Sequence, residues 1–142
     1  MSDVKADIFV LCDHASISQE QKLSIIGIFD NFFVANTPAI WPRMYLVATL
    51  KGEPDQEYPM KLKIVPPKGA QASFPEKELT LKFGPGGKTN FMTEMVNFQL
   101  PAPGKYKIQL ISGTKNVGEL EFSVTKRTND FGSDLAGKKI SN

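Results

Sequence analysis

One cysteine, one histidine and one tryptophan are spread through 142 residues. A lone Cys12 excludes an internal disulfide, and a lone His14 leaves any zinc site short of nitrogen and sulfur ligands. No apolar run approaches the roughly 18 residues that would suggest a membrane span. The start, MSDVKADIFV, lacks the basic head and apolar middle of an export signal, because Asp3 and Asp7 interrupt it. A cytoplasmic location is therefore expected. Clusters of basic residues are also missing. The net charge of +2 resides beyond Thr125, where Lys126, Arg127, Lys138 and Lys139 outnumber Asp130 and Asp134, and the remaining residues balance. Such a body is no nucleic-acid footprint, and near-zero charge favours association over repulsion.

What is present is alternation. Met92, Val96, Phe98 and Leu100 share one parity, as do Tyr106, Ile108 and Leu110, and then Leu120, Phe122 and Val124. Period-two patterning predicts half-buried strands, and the short turns at Pro101–Gly104 and Ser112–Asn116 predict a closing β-meander. Upstream, strands are predicted over Asp7–Asp13, over a long stretch from Leu23 to about Ala35, and over Met44–Leu50. Met60, Leu62 and Ile64 define another, as do Leu79, Leu81 and Phe83. HASISQEQ is read as a polar connection, and Thr37-Pro38 with Trp41-Pro42 as a loop, since proline cannot donate to a ladder.

About eight strands with no amphipathic helix predict an all-β fold, a single antiparallel β-sandwich. The step Gly104-Lys105-Tyr106 matches the tyrosine corner of immunoglobulin-like sandwiches, although a plain core aromatic would satisfy the same pattern. An immunoglobulin-like form is the first expectation and a C2-like form the second. Residues 1–125 form the sandwich domain in this reading, and 126–142, where periodicity ends, a flexible C-terminal tail.

Four constellations carry chemical interest. Cys12 and His14 project to one face of a strand and could make a thiolate pair, against the plainer reading of a buried thiol beside a loop histidine. Gly84-Pro85-Gly86-Gly87-Lys88-Thr89 invites comparison with a phosphate loop. Lys82 stands where the Walker pattern needs glycine, so a hairpin turn is expected. Glu53, Asp55 and Glu57, which Asp13 or Asp30 could join, suggest calcium or simply a solvated turn. Finally, the segment from Ile25 to Val34 is apolar on both faces, with Phe29 and Phe33 opposite Ile26, Ile28 and Phe32. Either Gly27 marks a bulge or an outer face meets a partner. Phe91 and Met95 also oppose the core parity of their strand, making Phe29, Phe33, Phe91 and Met95 the candidate interaction surface.

From Asp7 to Val124, ADIFVLCDHAS, KLSIIGIFDNFF and the closing PAPGKYKIQL…VGELEFSV resemble a family of small, uncharacterised bacterial β-sandwich proteins. The shared pattern is a strand ending in Cys-Asp, a lysine-led strand ending near Gly-Ile-Phe-Asp, and a late Gly-x-Tyr strand. The resemblance implies the fold and no assigned activity, and it stops before the tail.

The functional expectation is a non-enzymatic protein-interaction or scaffold module without cofactor, catalytic residue or metal. Its partner would be a protein, with the chain itself as a homodimer among the choices. The alternative is a ligand-binding sandwich for a carbohydrate, a lipid headgroup or calcium, in which Trp41, Tyr45 and Tyr58 would line a groove. A hydrolase dependent on Cys12 and His14 is the remote alternative.

Overall fold

The computed structural model describes residues 4–127. Nine strands follow one another: β1 (Lys5–Ile17), β2 (Leu23–Phe29), β3 (Asn31–Val34), β4 (Ala39–Lys51), β5 (Glu57–Val65), β6 (Lys77–Lys82), β7 (Lys88–Leu100), β8 (Gly104–Ser112) and β9 (Lys115–Lys126). They form two sheets, one in the order β2-β1-β4-β7 and the other in the order β3-β9-β8-β5-β6. No helix occurs among the described residues.

The core lies between the sheets. Met44, Leu46, Ala48 and Leu50 of β4 face Tyr106, Ile108 and Leu110 of β8 and Phe122 and Val124 of β9. At its centre Tyr106 stacks on Phe122 at 4.8 Å, and Phe32 meets Phe122 edge-on at 5.2 Å. Each such aromatic pair is worth about 0.5–1.5 kcal/mol beyond its buried area.

The predicted long strand from Leu23 divides at Asp30. Its first part belongs to one sheet, and its second runs parallel to β9 in the other, pairing Asn31 with Ser123 and Val34 with Lys126. The Asp30 carbonyl accepts the Ser123 N–H at 2.9 Å where the chain changes sheets. The described residues thus form nine strands where about eight are predicted, with one parallel pair among the antiparallel ladders.

The closing meander is also corrected. β7 lies in the first sheet and β8 and β9 in the second, so the Pro101–Gly104 arch crosses the sandwich edge. The Tyr106 hydroxyl pins that arch, accepting the Ala102 N–H at 3.1 Å and donating to the Ala102 carbonyl at 2.6 Å. This is the bonding of a tyrosine corner, made by a ring that is also fully buried. The Gly84–Gly87 turn likewise joins the two sheets instead of closing a hairpin. It braces the Gly52–Gln56 turn, with Gly52 N–H donating to the Gly87 carbonyl at 2.8 Å.

At two levels of the first sheet, paired strands turn over together. Between the Cys12–Ile28 and His14–Ile26 pairs, Gly27 has φ 72° and packs against Asp13. Between Arg43–Val96 and Trp41–Phe98, Asn97 has φ 54° across from Pro42. Register is kept in both places, but the side chains change faces. Beyond Gly27 the β1–β2 hairpin folds back over the outer face. Ala15, Leu23 and Ile25 pack there on Val10, Tyr45, Val47 and Met92, forming a second small core. HASISQEQ therefore belongs largely to this arm. Its exposed turn is closed by Gln21 N–H donating to the Ser18 carbonyl at 2.9 Å.

β9 continues one residue past the predicted domain boundary. Arg127 then donates its backbone N–H to the Val34 carbonyl at 2.8 Å. The remainder of the predicted tail lies outside the described residues.

Candidate functional site

Cys12 sits under the folded-back arm with no exposed surface. Desolvation raises its thiol pKa, with a further push from the Asp13 charge, while hydrogen bonding to the backbone at His14 and Ile26 opposes both. A thiol held protonated and closed to solvent is no nucleophile. His14 lies beyond the bend and is exposed, its ring edge-on to Tyr45 at 5.2 Å. The bend at Asp13 and Gly27 thus parts the two residues that strict alternation would place side by side.

The acidic turn is held by backbone bonds. Asp55 N–H donates to the Gly84 carbonyl at 3.1 Å, and Glu53 N–H donates to the Tyr58 hydroxyl at 3.2 Å. Among the described residues, no group of three or more His, Cys, Asp or Glu side chains could hold a metal ion. Trp41 packs on Phe32 at 4.9 Å, Tyr45 is buried in the outer cluster, and Tyr58 packs on Phe83 at 5.1 Å. These three aromatics pack on different neighbours.

The four candidate surface residues also separate. Phe29 is half-buried, edge-on to Phe32 at 5.1 Å. Phe33 is 47% exposed on β3, and the Arg127 guanidinium lies 3.9 Å from its ring centre. Phe91 and Met95 face inward and are half-buried against the core. The turn at Asn97 reverses the predicted parity of β7, so Met92 faces outward while Phe91, Met95, Phe98 and Leu100 face inward. Among the described residues, the large apolar side chains that are more than half exposed are Ile26, Ile28, Ile40 and Val96. Their signal in the sequence is the parity change at Gly27 and at Pro42.

Phe91 and Met95 nevertheless line a cleft. It holds about 270 Å3 between β7 and β6, with Leu62, Leu79, Lys77 and Glu94 around it. This is the open side of the sandwich, where the edge of each sheet carries backbone groups that no other described strand pairs. Natural sheets blunt such edges with short strands, charges, prolines or kinks. β2 is bent at Gly27, β3 is 4 residues long, and β6 is short and half charged, with Lys77, Glu78 and Lys82. β7 is blunted less: the Gly84 N–H caps the Lys88 carbonyl at 3.0 Å, and from Thr89 to Val96 the strand is long and carries one charge, Glu94. It contains no proline, its one positive φ is at Asn97, and its two charges are Lys88 and Glu94. Glu94 also forms an ion pair with Arg43, which donates to the Tyr45 hydroxyl at 2.9 Å.

Two facing sheets, a chain that changes sheets near its start to run parallel with the last strand, and a tyrosine corner define an immunoglobulin-like β-sandwich. Residues 7–125 match the family of unknown function DUF6941, and the chain belongs to it. No functionally curated protein matches.

Among solved structures, the chain is similar to the alkylpurine DNA glycosylase AlkC of Pseudomonas fluorescens, bound to DNA containing an abasic-site analogue. The TM-score is 0.53 at 14% identity, covering 86% of this chain and 30% of that one. It is also similar to a β-glucosidase from Listeria innocua, with a TM-score of 0.50 at 10% identity, covering 89% of this chain and 16% of the enzyme. An immunoglobulin-like protein from Pseudomonas aeruginosa aligns over 87% of this chain and 97% of its own at 17% identity, with a TM-score of 0.47. The chain thus spans under a third of the first two proteins, and the likeness is one of fold. Among the described residues, no helix is long and apolar enough to cross a membrane.

Proposed function

We propose that this protein is a non-enzymatic interaction module that receives an extended protein segment along the edge of β7. The observation that carries the reading is the long, proline-free run Thr89–Val96 beside the Phe91–Met95 cleft. An incoming strand would satisfy the outward N–H and C=O groups, while its alternate side chains enter the cleft between the sheets. Main-chain bonding supplies affinity in such docking, and the apolar cleft supplies selectivity. A cytoplasmic setting is part of this reading, supported by a single cysteine kept as a buried thiol. The activities of the structural neighbours are not carried over, because identities of 10–14% speak for the fold alone.

Photocross-linking in cells tests the reading. A benzoylphenylalanine at Val96 should give discrete protein adducts, whereas the same group at Ile28, on the opposite edge of the sheet, should not. Equal labelling from both positions, or none from Val96, would overturn it.

A further inference from the structure

The cleft beside β7 is apolar at one end and cationic at the other. In β5, β6 and β8, the parity that faces the core carries one charged side chain, Lys77. It stands across the ladder from buried Leu62, on the same face, at the open side of the sandwich. Among the described residues, no carboxylate forms an ion pair with it. Glu76 lies 3.9 Å from Lys61, Glu78 stands across from Lys61 on the other parity, and Glu94 is held by Arg43. β6 and β7 both lead away from the Gly84–Gly87 turn, so Leu79 lies toward Phe91 and Lys77 toward Thr93 and Met95. A charge turned inward on an edge strand discourages casual pairing, because a strand laid over it strips water from the charge. The same charge admits a strand that brings its opposite.

The backbone determines which side chains meet. The Lys88 carbonyl accepts the Gly84 N–H and so points away from β4. Asn90, Met92 and Glu94 share its parity, and their main-chain groups point outward as well. Phe91, Thr93 and Met95 turn their side chains toward the core layer, as their partners Ala48, Leu46 and Met44 do. Residues directly opposite in a ladder share a face, so the incoming side chains opposite these three enter the cleft. We infer that the segment received by β7 is an acidic one. It places an apolar residue opposite Phe91, against Leu79, and an aspartate or glutamate two or four positions away, with its carboxylate on Lys77. The inference rests on the reading of β7 as a docking edge and names the chemistry of the occupant. A neutral residue at that place leaves the ammonium group dehydrated and unmatched, and a lysine adds repulsion. A carboxylate there forms a partly desolvated pair, which discriminates more strongly than an exposed one.

The test is a phage-displayed library of random peptides, selected in parallel on the parent protein and on Lys77→Glu. Lys77 is exposed, so its replacement leaves the core intact, and circular dichroism checks that the variant is folded. The parent should enrich peptides with Asp or Glu two or four positions from an aliphatic or aromatic residue. Lys77→Glu should enrich Lys or Arg at that place instead. For a synthetic peptide chosen on the parent, changing the acid to Lys should weaken binding about tenfold or more in fluorescence polarisation. Lys77→Glu should recover most of that loss. An empty selection on the parent, equal use of acids and bases, or affinities indifferent to the charge at Lys77 would each overturn the inference. Acidic peptides that give no adduct with benzoylphenylalanine at Val96 bind elsewhere, and they sink it too. Peptides without the acid that do label from Val96 leave edge docking standing while the acidic preference falls.

Discussion

Asn97 stands across from Pro42, and at that level β7 and β4 turn over together while keeping their register. Proline has no N–H to give the ladder, and asparagine tolerates the left-handed conformation better than most residues, so the site suits both partners. The consequence is spatial. Phe98 and Trp41 enter the core below the turn, and Met95 and Met44 enter it above. An Asn97→Val variant forces a β-branched side chain into positive φ and should cost about 1–2 kcal/mol in urea unfolding.

Gly27 and Gly87 both have positive φ but different neighbours. A Cβ at Gly27 would lie 2.5 Å from a carboxylate oxygen of Asp13, a side chain that can swing away. A Cβ at Gly87 would lie 2.5 Å from the Gly52 carbonyl oxygen, which is backbone in a residue whose own N–H is bonded to the Gly87 carbonyl. Gly27→Ala is expected to cost about 1 kcal/mol, near the conformational penalty alone. Gly87→Ala should cost clearly more, and equal midpoints for the two in denaturant would refute the distinction.

Tyr106→Phe keeps the ring stacked on Phe122 and deletes both bonds to Ala102. The expected loss is about 1–3 kcal/mol, because the partners at Ala102 are left unpaired in a partly buried arch. Unfolding followed by fluorescence of Trp41 would measure it.

Thiol labelling checks the burial of Cys12. The native protein should react far more slowly than the urea-unfolded chain, and Cys12→Ser should cost about 1–3 kcal/mol. The sign of the pH dependence follows from the raised thiol pKa. Its contribution is intact below the ordinary thiol value of roughly 8.5 and is lost as pH climbs from there toward the raised folded value. Tyr106, raised by the same desolvation, adds a loss of the same sign at higher pH. Stability measured between neutral pH and about pH 10 should therefore fall less steeply in Cys12→Ala than in the parent.

Arg127→Ala removes the cation over the Phe33 ring and should cost about 0.5–1 kcal/mol, with Arg127→Lys recovering only part, since a planar guanidinium also stacks. Denaturant midpoints of the three proteins provide the comparison.

Alternation in the sequence was enough to locate most strands and the two-layer class, because half-buried strands of either sheet obey it. It offers Gly27 as one reading of a change of face but cannot show the turn-over at Asn97. Asn97 inverts parity without shifting register, so alternation alone puts Phe91, Met95 and Met92 on the wrong faces. Nor could it show that Asp30 divides one apolar run between two sheets, since both halves are apolar and extended. The folded-back arm was hidden for a different reason. Its tip is polar and solvated, and only Ala15, Leu23 and Ile25 betray its buried side. The proposed docking edge is legible as a long strand without proline and with two charges, but its standing as an edge depends on sheet order.

The parallel pairing of β3 with β9 has a consequence for synthesis. The hydroxyl of Thr125 donates to the Asn31 side chain at 3.0 Å across 94 positions of sequence. A ribosome must therefore release nearly the whole domain before that contact can close. Until then Phe32 lacks Phe122, its edge-on neighbour from the last strand. A nascent chain halted before β9 would hold an incomplete second sheet with aromatic surface open, a species that depends on chaperones or on speed to avoid clumping.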